Sequence, residues 1–316
     1  MKRCVFLVAA LLLCVSTRAL AQDIARKSGF VDVPGGPVWY EIMGGGEGTP
    51  LLLLHGGPGS YTCYYQYLAP LGDTRPVIRY DQLGGGRSGR PTDKTLWNRD
   101  RFVEEVAAVR AALGLDEVHI LGHSWGGALA AYYYLQTGGD GVKSLILSSP
   151  LLSTPRWIAD ANLLRGQLPG DVQAVLSAEE KAGTTDSKAY AQATRAFYKQ
   201  FVSRGEAAER DFDCSGVSGN NAIYEQMWGP SEFYATGSLV DFDLTPRLKD
   251  IKAPTLFITG EYDEARPETL ARFAALVPDS RLEVIPDVAH ASFSRVPGPY
   301  MQIVRTFIAT VDADKP

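Results

Sequence analysis

The feature that most constrains this sequence is an apolar strand that runs into a serine between two glycines and continues as a run of small residues. Residues 118–123 have strand character, Ser124 follows in the pattern Gly122-x-Ser124-x-Gly126, and Ala128 opens a stretch with helical character. The glycines leave room for a sharp turn at the serine, where side chains would collide. Such a turn lifts the Ser124 hydroxyl above the edge of a sheet, and the amino terminus of the following helix favours negative charge there. The pattern predicts a nucleophilic serine on a strand–turn–helix unit.

Strands and helices alternate on both sides of this unit. Apolar segments predict strands over 30–33, 38–43, 51–54, 77–80, 144–148, 255–259 and 281–285, of which the first two form a hairpin. The spacing of apolar residues predicts helices over 98–113, 267–277 and 299–311. Fully apolar strands are typical of parallel sheets covered on both faces, and strand–helix–strand repeats join them by right-handed crossovers. We therefore expect an α/β fold with a mostly parallel central sheet.

The alternation stops between residues 155 and 237. This region has helical, more polar segments and no clear strand pattern, with predicted helices over 157–167, 171–182, 187–205 and 220–228. A block of helices inserted into a sheet domain predicts a cap over the catalytic edge. The expected organisation is a signal peptide over 1–21, a first core part over 22–152, a helical cap over 153–240 and a second core part over 241–316.

The amino terminus has the pattern of an export signal. Lys2 and Arg3 precede an apolar run over 5–15, and the small residues Ala19 and Ala21 offer a cleavage site. The apolar run is too short to span a membrane. We expect cleavage after Ala21 and a periplasmic or secreted protein without a membrane span; an uncleaved apolar tail is the alternative.

Charge and cysteine content narrow the range of partners. Cleavage removes three basic residues and lowers the formal net charge from −5 to −8. An acidic chain without basic runs is a poor candidate for binding nucleic acid or anionic membranes. Two cysteines then remain, Cys63 and Cys214, which could pair in an oxidising compartment or stay as two unpaired thiols. The four histidines are scattered and share no ligand spacing, so we predict no metal site and no cofactor.

A serine hydroxyl becomes a strong nucleophile only when a base takes its proton, and histidine is the usual base. His119 lies inside the predicted strand, His123 is expected to point to the other side of the turn, and His55 belongs to a glycine-rich loop. Elimination leaves His290, in a loop after the last predicted strand. We predict that His290 activates Ser124.

The histidine needs an acid to hold its tautomer and to stabilise its positive charge. Asp263, just after the predicted strand over 255–259, is the best candidate, with Glu261 and Asp287 as alternatives. The chain order Ser124, Asp263, His290 is that of α/β-hydrolases. The predicted fold is therefore an α/β-hydrolase fold with an inserted helical cap.

A tetrahedral intermediate also needs two N–H donors for its oxyanion. One is expected to be the backbone N–H of Trp125, the residue after the nucleophile. The other is expected from the glycine-rich loop over 55–59, where the missing side chains let the backbone approach a substrate. Gly57 is the predicted donor and Gly56 the near alternative.

Five motifs together resemble the proline iminopeptidase family of α/β-hydrolases. In chain order they are His55-Gly56-Gly57-Pro58-Gly59, Asp81-Gln82-x-Gly84-x-Gly86-x-Ser88, Gly122-x-Ser124-Trp125-Gly126-Gly127, Met227-Trp228-Gly229-Pro230-Ser231-Glu232-Phe233 and Gly260-Glu261-Tyr262-Asp263-Glu264. The resemblance extends over residues 38–307 and is weakest over 155–220. The sequence departs from the family pattern at His123, where many members have glycine, and at Leu83, where arginine is frequent.

The resemblance implies a serine exopeptidase that releases an N-terminal residue, often proline, from short peptides or amino-acid amides. It also implies that Glu232 and Glu264 hold the free α-ammonium of the substrate, which agrees with the need of a partly dehydrated cation for carboxylate partners. A solvated cap residue and a surface neighbour of Asp263 are the respective alternatives. Aromatic residues of the cap, Trp228, Phe233 and Tyr234, are expected to line the pocket.

Two other functions fit the same framework. An amino-acid amidase or carboxylesterase would share the triad without requiring a free amine. A hydrolase-fold binding protein without activity usually lacks a member of the triad, and this sequence has all three candidates.

Overall fold

A computed structural model describes residues 24–313, so the predicted signal peptide over 1–21 lies outside the described residues. The described chain builds one eight-stranded sheet with the strand order β1-β2-β4-β3-β5-β6-β7-β8. The strands are β1 Arg26–Val33, β2 Gly36–Met43, β3 Leu51–Leu54, β4 Val77–Tyr80, β5 Val118–His123, β6 Val142–Ser148, β7 Thr255–Gly260 and β8 Ser280–Ile285. β1 pairs antiparallel with β2 and β2 with β4, whereas β4, β3, β5, β6, β7 and β8 run parallel to one another. The predicted mostly parallel sheet is confirmed.

The parallel strands are apolar because both faces of the sheet are covered. Leu52 and Leu54 point into the larger core on one face, and Leu51 and Leu53 point into the core on the other. This alternation follows from the two-residue period of a strand. Every residue of β3, β5 and β7 is buried, which explains why these segments have no polar face in the sequence.

Nine α-helices lie within residues 24–313. They are α1 Arg99–Ala112, α2 Trp125–Thr137, α3 Thr154–Arg165, α4 Gly170–Ala182, α5 Lys188–Phe201, α6 Asn221–Met227, α7 Pro267–Ala274, α8 Ser292–Arg295 and α9 Pro297–Ala313. The side chain of Asn98 caps α1 by accepting a hydrogen bond from the backbone N–H of Arg101, as expected for a helix that starts after asparagine. No helix in this part of the chain has the length and apolar character needed to cross a bilayer.

Four of these helices, α3 to α6, lie between β6 and β7 and correspond to the predicted cap helices. The cap region has a separate core in which Tyr190, Phe197, Phe201 and Phe233 pack together. This core explains why the region carries helical apolar spacing although it contributes no strand to the sheet.

A 3₁₀ helix at Cys63–Asp73 was not predicted from the sequence. It contains Pro70 and Gly72, which are poor helix formers, so its residues show no clear helical pattern. Its first residue, Cys63, forms a disulfide with Cys214 in the segment between α5 and α6. The alternative of two unpaired thiols is therefore corrected, and the core is covalently joined to the cap region.

Candidate active site

Ser124 occupies a sharp turn between β5 and α2. Its backbone has φ 57° and ψ −121°, a positive-φ conformation that costs a non-glycine residue about 1–3 kcal/mol. The turn is held by a 2.9 Å hydrogen bond from the N–H of Ser124 to the carbonyl of Ser148. A Cβ atom on Gly122 would lie 2.1 Å from the carbonyl oxygen of Gly126, and one on Gly126 would lie 2.1 Å from that of Leu54. Both glycines are therefore required by close backbone contact.

Asp263 and His290 follow neighbouring strands, β7 and β8, and are joined by a 2.9 Å hydrogen bond between His290 Nδ1 and Asp263 Oδ1. The buried carboxylate also accepts hydrogen bonds from Ser149 Oγ at 2.6 Å, Thr259 Oγ1 at 3.0 Å and the N–H of Ala265 at 2.8 Å. These donors hold the Asp263 carboxylate in one orientation. The bond to Nδ1 leaves Nε2 as the ring nitrogen available to a substrate or nucleophile.

The two alternative acids do not contact His290. Glu261 and Asp287 are exposed, and Glu261 Oε2 accepts a 3.0 Å hydrogen bond from the backbone N–H of Asp287.

Burial alone would lower the pKa of His290, but the carboxylates of Asp263 and Glu232 outweigh burial and raise it above its ordinary value. The site therefore stabilises the imidazolium that forms when the histidine takes a proton.

Ser124 and His290 line one cavity of about 460 Å³ at the carboxyl ends of the parallel strands. No hydrogen bond joins the two side chains within residues 24–313. Such bonds are often long or poorly aligned before substrate binds. The glycine-rich loop over 55–60 forms one wall, and Tyr61, Tyr64 and Asn220 also line the cavity.

The glycine-rich loop after β3 lies directly against the nucleophile. A Cβ atom on Gly56 would be 3.1 Å from the Cβ of Ser124, and Gly57 has φ +114°, which side chains rarely allow. Within the described residues, the backbone N–H groups of Gly57 and Trp125 donate to no protein acceptor. Both are therefore free to bind an oxyanion, and their assignment stays a prediction.

Two carboxyl groups lie beside the catalytic histidine candidate. Glu232 lines the cavity, and its Oε1 accepts a 2.6 Å hydrogen bond from the hydroxyl of Tyr224. Glu264 is 1% exposed, and neither of its carboxyl oxygens has a hydrogen-bond partner among residues 24–313. Its Oε1 lies 3.9 Å from His290 Nδ1.

Burial raises the pKa of both glutamates, and the neighbouring carboxylates of Glu232 and Asp263 raise that of Glu264 further. No lysine or arginine in the described chain forms an ion pair with either group. An unpaired buried carboxylate is costly. Glu232 lines the cavity, whereas Glu264 is not among the lining residues and lies beside His290.

Known proteins resemble this chain over most of its length. The chain is 48% identical over 286 residues to a proline iminopeptidase of Heyndrickxia coagulans, covering 90% of this chain and 99% of that protein. This chain belongs to the proline iminopeptidase family. A proline iminopeptidase of Clostridium botulinum is 35% identical, with 85% of this chain and 94% of that protein covered.

A family model and a solved structure also show the fold of this chain. A family model described as alpha/beta hydrolase fold matches residues 49–295. The crystal structure of a proline iminopeptidase of Mycobacterium smegmatis superimposes with a TM-score of 0.81 at 34% identity, covering 91% of this chain and 99% of that one. The predicted α/β-hydrolase fold is confirmed.

Three aromatic residues that were expected to line the pocket lie outside the cavity. Trp228 is buried in the larger core and donates from Nε1 to the carbonyl of Ser231 at 2.8 Å. Phe233 packs in the cap core, with its ring 4.9 Å from that of Phe197. Neither these two residues nor Tyr234 lines the cavity. The expectation is corrected because Trp228 and Phe233 fill the two cores that meet at this segment.

His123 also differs from its expected orientation. Its side chain lines the cavity, and its ring centroid lies 4.5 Å from that of His290. Burial keeps its pKa well below the ordinary histidine value, so the ring is neutral. His119, in contrast, is buried in β5 as expected.

Two site residues were missed by the sequence analysis. Tyr224 in α6 binds Glu232, and the indole Nε1 of Trp157 donates to the carbonyl of Glu232 at 3.0 Å. The Trp157 ring also packs edge-on against His290, at a centroid distance of 5.7 Å. No sequence pattern marks either residue, because Trp157 lies 75 positions from Glu232 in the chain and Tyr224 meets Glu232 only through the turn after α6.

Proposed function

We propose that this chain is a serine exopeptidase that releases an N-terminal residue, foremost proline, from short peptides or amino-acid amides. The observation that carries the proposal is the pairing of a triad with two buried carboxyl groups that form no ion pair with a lysine or arginine in the described chain. The triad supports acyl transfer, and the carboxyl pair supports selection of a free α-ammonium.

In the proposed mechanism, Ser124 Oγ attacks the carbonyl carbon of the first residue while His290 Nε2 takes the hydroxyl proton. Asp263 holds Nδ1–H and stabilises the imidazolium. The N–H groups of Gly57 and Trp125 bind the oxyanion. His290 then returns the proton to the leaving amine, and water attacks the acyl-enzyme by the same proton path.

The proposed substrate anchor is the pair Glu232 and Glu264. A cationic α-amine between them would supply the missing positive charge and let both carboxyl groups ionise. An acetylated amine is neutral and bulkier, so it would leave the pair unpaired or protonated. The pair therefore supports an exopeptidase over an endopeptidase or a general esterase.

Proline β-naphthylamide is the first test. We expect turnover by the wild type, loss of at least about 10³-fold in kcat with Ser124→Ala, and no turnover of N-acetylproline β-naphthylamide. Ser215→Ala is the matched control, because Ser215 is exposed and its hydroxyl donates to Asp213, outside the cavity. Equal rates with and without the acetyl group would support the amidase or carboxylesterase alternative.

We also infer that the mature chain works in the periplasm or outside the cell. The amino-terminal pattern supports export, and the Cys63–Cys214 disulfide supports an oxidising compartment. Expression of the full chain in a secreting bacterial host tests this directly. Amino-terminal sequencing of the periplasmic protein should start at Gln22, whereas an intact Met1 in the cytoplasm would contradict the inference.

A further inference from the structure

Gln82 forms a buried link between the two segments that carry the predicted oxyanion donors. Its Oε1 accepts a 3.0 Å hydrogen bond from the indole Nε1 of Trp125, and its Nε2 donates at 2.9 Å to the carbonyl of His55. All three residues are 1% exposed. One carboxamide thus uses its donor end on the loop after β3 and its acceptor end on the first residue of α2.

The backbone of Gln82 makes a third bond that determines the tautomer of His55. The N–H of Gln82 donates to His55 Nε2 at 2.9 Å, so Nε2 is the acceptor and the ring proton is on Nδ1. His55 Nδ1 then donates to the carbonyl of Gly56 at 2.7 Å. Burial lowers the pKa of His55, which keeps the ring neutral as this arrangement requires.

The bond to the Gly56 carbonyl controls the direction of the Gly57 N–H. The peptide between these two glycines is trans. In a planar trans peptide the C=O and N–H point in opposite directions. Holding the Gly56 oxygen therefore aims the Gly57 N–H away from His55.

We propose that Gln82 is a positioning residue that holds the two N–H donors of the oxyanion hole, those of Gly57 and Trp125, in register with each other. It touches neither substrate nor reacting atoms. The inference rests on the proposed function, because it assigns the oxyanion to those two donors. A tetrahedral intermediate gains from both donors only when they converge on one point.

The test uses two variants that remove the side-chain link and keep the backbone bond to His55. Gln82→Met is close in volume and removes both carboxamide bonds, and Trp125→Phe removes the indole N–H together with part of the buried ring system. Tyr133→Phe is the matched control, because Tyr133 also lies on α2 and its buried hydroxyl accepts from Arg110 at 2.9 Å, outside the cavity.

Removing a whole oxyanion donor costs about 10²–10³-fold in kcat, so misaligning one should cost roughly 10–100-fold. We expect this loss for Gln82→Met, a smaller loss for Trp125→Phe, and KM within about 3-fold of the wild type. The double variant should have a kcat within about 2-fold of that of Gln82→Met alone, because both changes break the same link. Tyr133→Phe should keep kcat within about 2-fold of the wild type.

Two substrates separate this inference from the proposed function. The variants are assayed on proline β-naphthylamide and on p-nitrophenyl acetate, an ester without an amine that still needs the oxyanion hole. If the wild type does not cleave the arylamide, the aminopeptidase assignment fails. The rates on the ester then still test whether Gln82 positions the oxyanion donors. A kcat within about 3-fold of the wild type in both single variants, or losses that multiply in the double variant, would overturn the inference. If Gln82→Met does not fold, the kcat of Trp125→Phe alone tests the inference, with the same limit of about 3-fold.

Discussion

Removal of the Cys63–Cys214 disulfide should destabilise the protein mainly through its unfolded state. The bond joins residues separated by 151 positions in the chain. The loop-entropy relation gives about 5 kcal/mol for a loop of this length at 25 °C. Because unfolded chains retain some structure, we expect a measured loss of about 2–5 kcal/mol in the free energy of unfolding for the variant Cys63→Ala/Cys214→Ala.

Urea unfolding followed by circular dichroism measures this loss, with the reduced wild type as the control for the two alanines. An unfolded chain without the cross-link exposes more surface, so the slope of the free energy against urea should also rise. A loss below about 1 kcal/mol in both samples would refute the loop-closure reasoning. A large loss in the variant alone would instead assign the effect to the cavities left by the alanines.

The remaining predictions concern the site and its turn. Because Asp263 and Glu232 raise the pKa of His290, the acidic limb of kcat/KM should lie above pH 6.5, and Glu232→Gln should move it to lower pH in a pH–rate profile. Glu264 has a raised pKa in the folded state, so its contribution to stability is complete below the unfolded pKa and is lost as pH rises through the folded pKa. Glu264→Gln should therefore raise the melting temperature more at pH 8 than at pH 5, while it lowers kcat/KM for free-amine substrates. Gly126→Ala should prevent folding or cost more than about 3 kcal/mol, because its Cβ would overlap a backbone oxygen of β3; Gly170→Ala, at the start of α4 with no atom within 4 Å of the added Cβ, should be tolerated in thermal melts.

The sequence was most informative where a local pattern requires a local structure. The elbow glycines and the fully apolar strands are visible in short windows, because each depends on neighbours in the chain. The order of the motifs also predicted that Ser124, Asp263 and His290 meet at one edge, because the carboxyl ends of parallel strands lie there. The triad geometry agrees with the sequence to this extent.

The errors have a common physical origin. Trp228 and Phe233 were expected in the cavity because aromatic residues suit both a pocket and a core, and only the tertiary packing assigns one to the larger core and the other to the cap core. His123 contacts the ring of His290, a residue of a loop far along the chain, and spacing within β5 does not encode this contact. Tyr224 and Trp157 become site residues through contacts to Glu232 from two separate helices, which spacing along the chain does not encode.

Binding of a cationic substrate beside Glu232 and Glu264 should release a proton. Glu264 is buried without a hydrogen-bond partner in the described chain, and its raised pKa favours the protonated form in the empty site. A cation placed beside it favours the ionised form, so binding should displace its proton. Pyrrolidine is cationic at neutral pH and lacks a scissile bond, so it probes this step without turnover.

Calorimetric titration with pyrrolidine in two buffers of different ionisation enthalpy counts the protons released. We expect a net release of protons by the wild type that falls as pH rises, and an affinity that rises with pH until Glu264 ionises in the free enzyme. Glu264→Gln should bind more weakly and release none, because the amide has no proton to lose. Equal release by both proteins would assign the proton to another group, and no release by the wild type would mean that Glu264 is already ionised before the cation arrives.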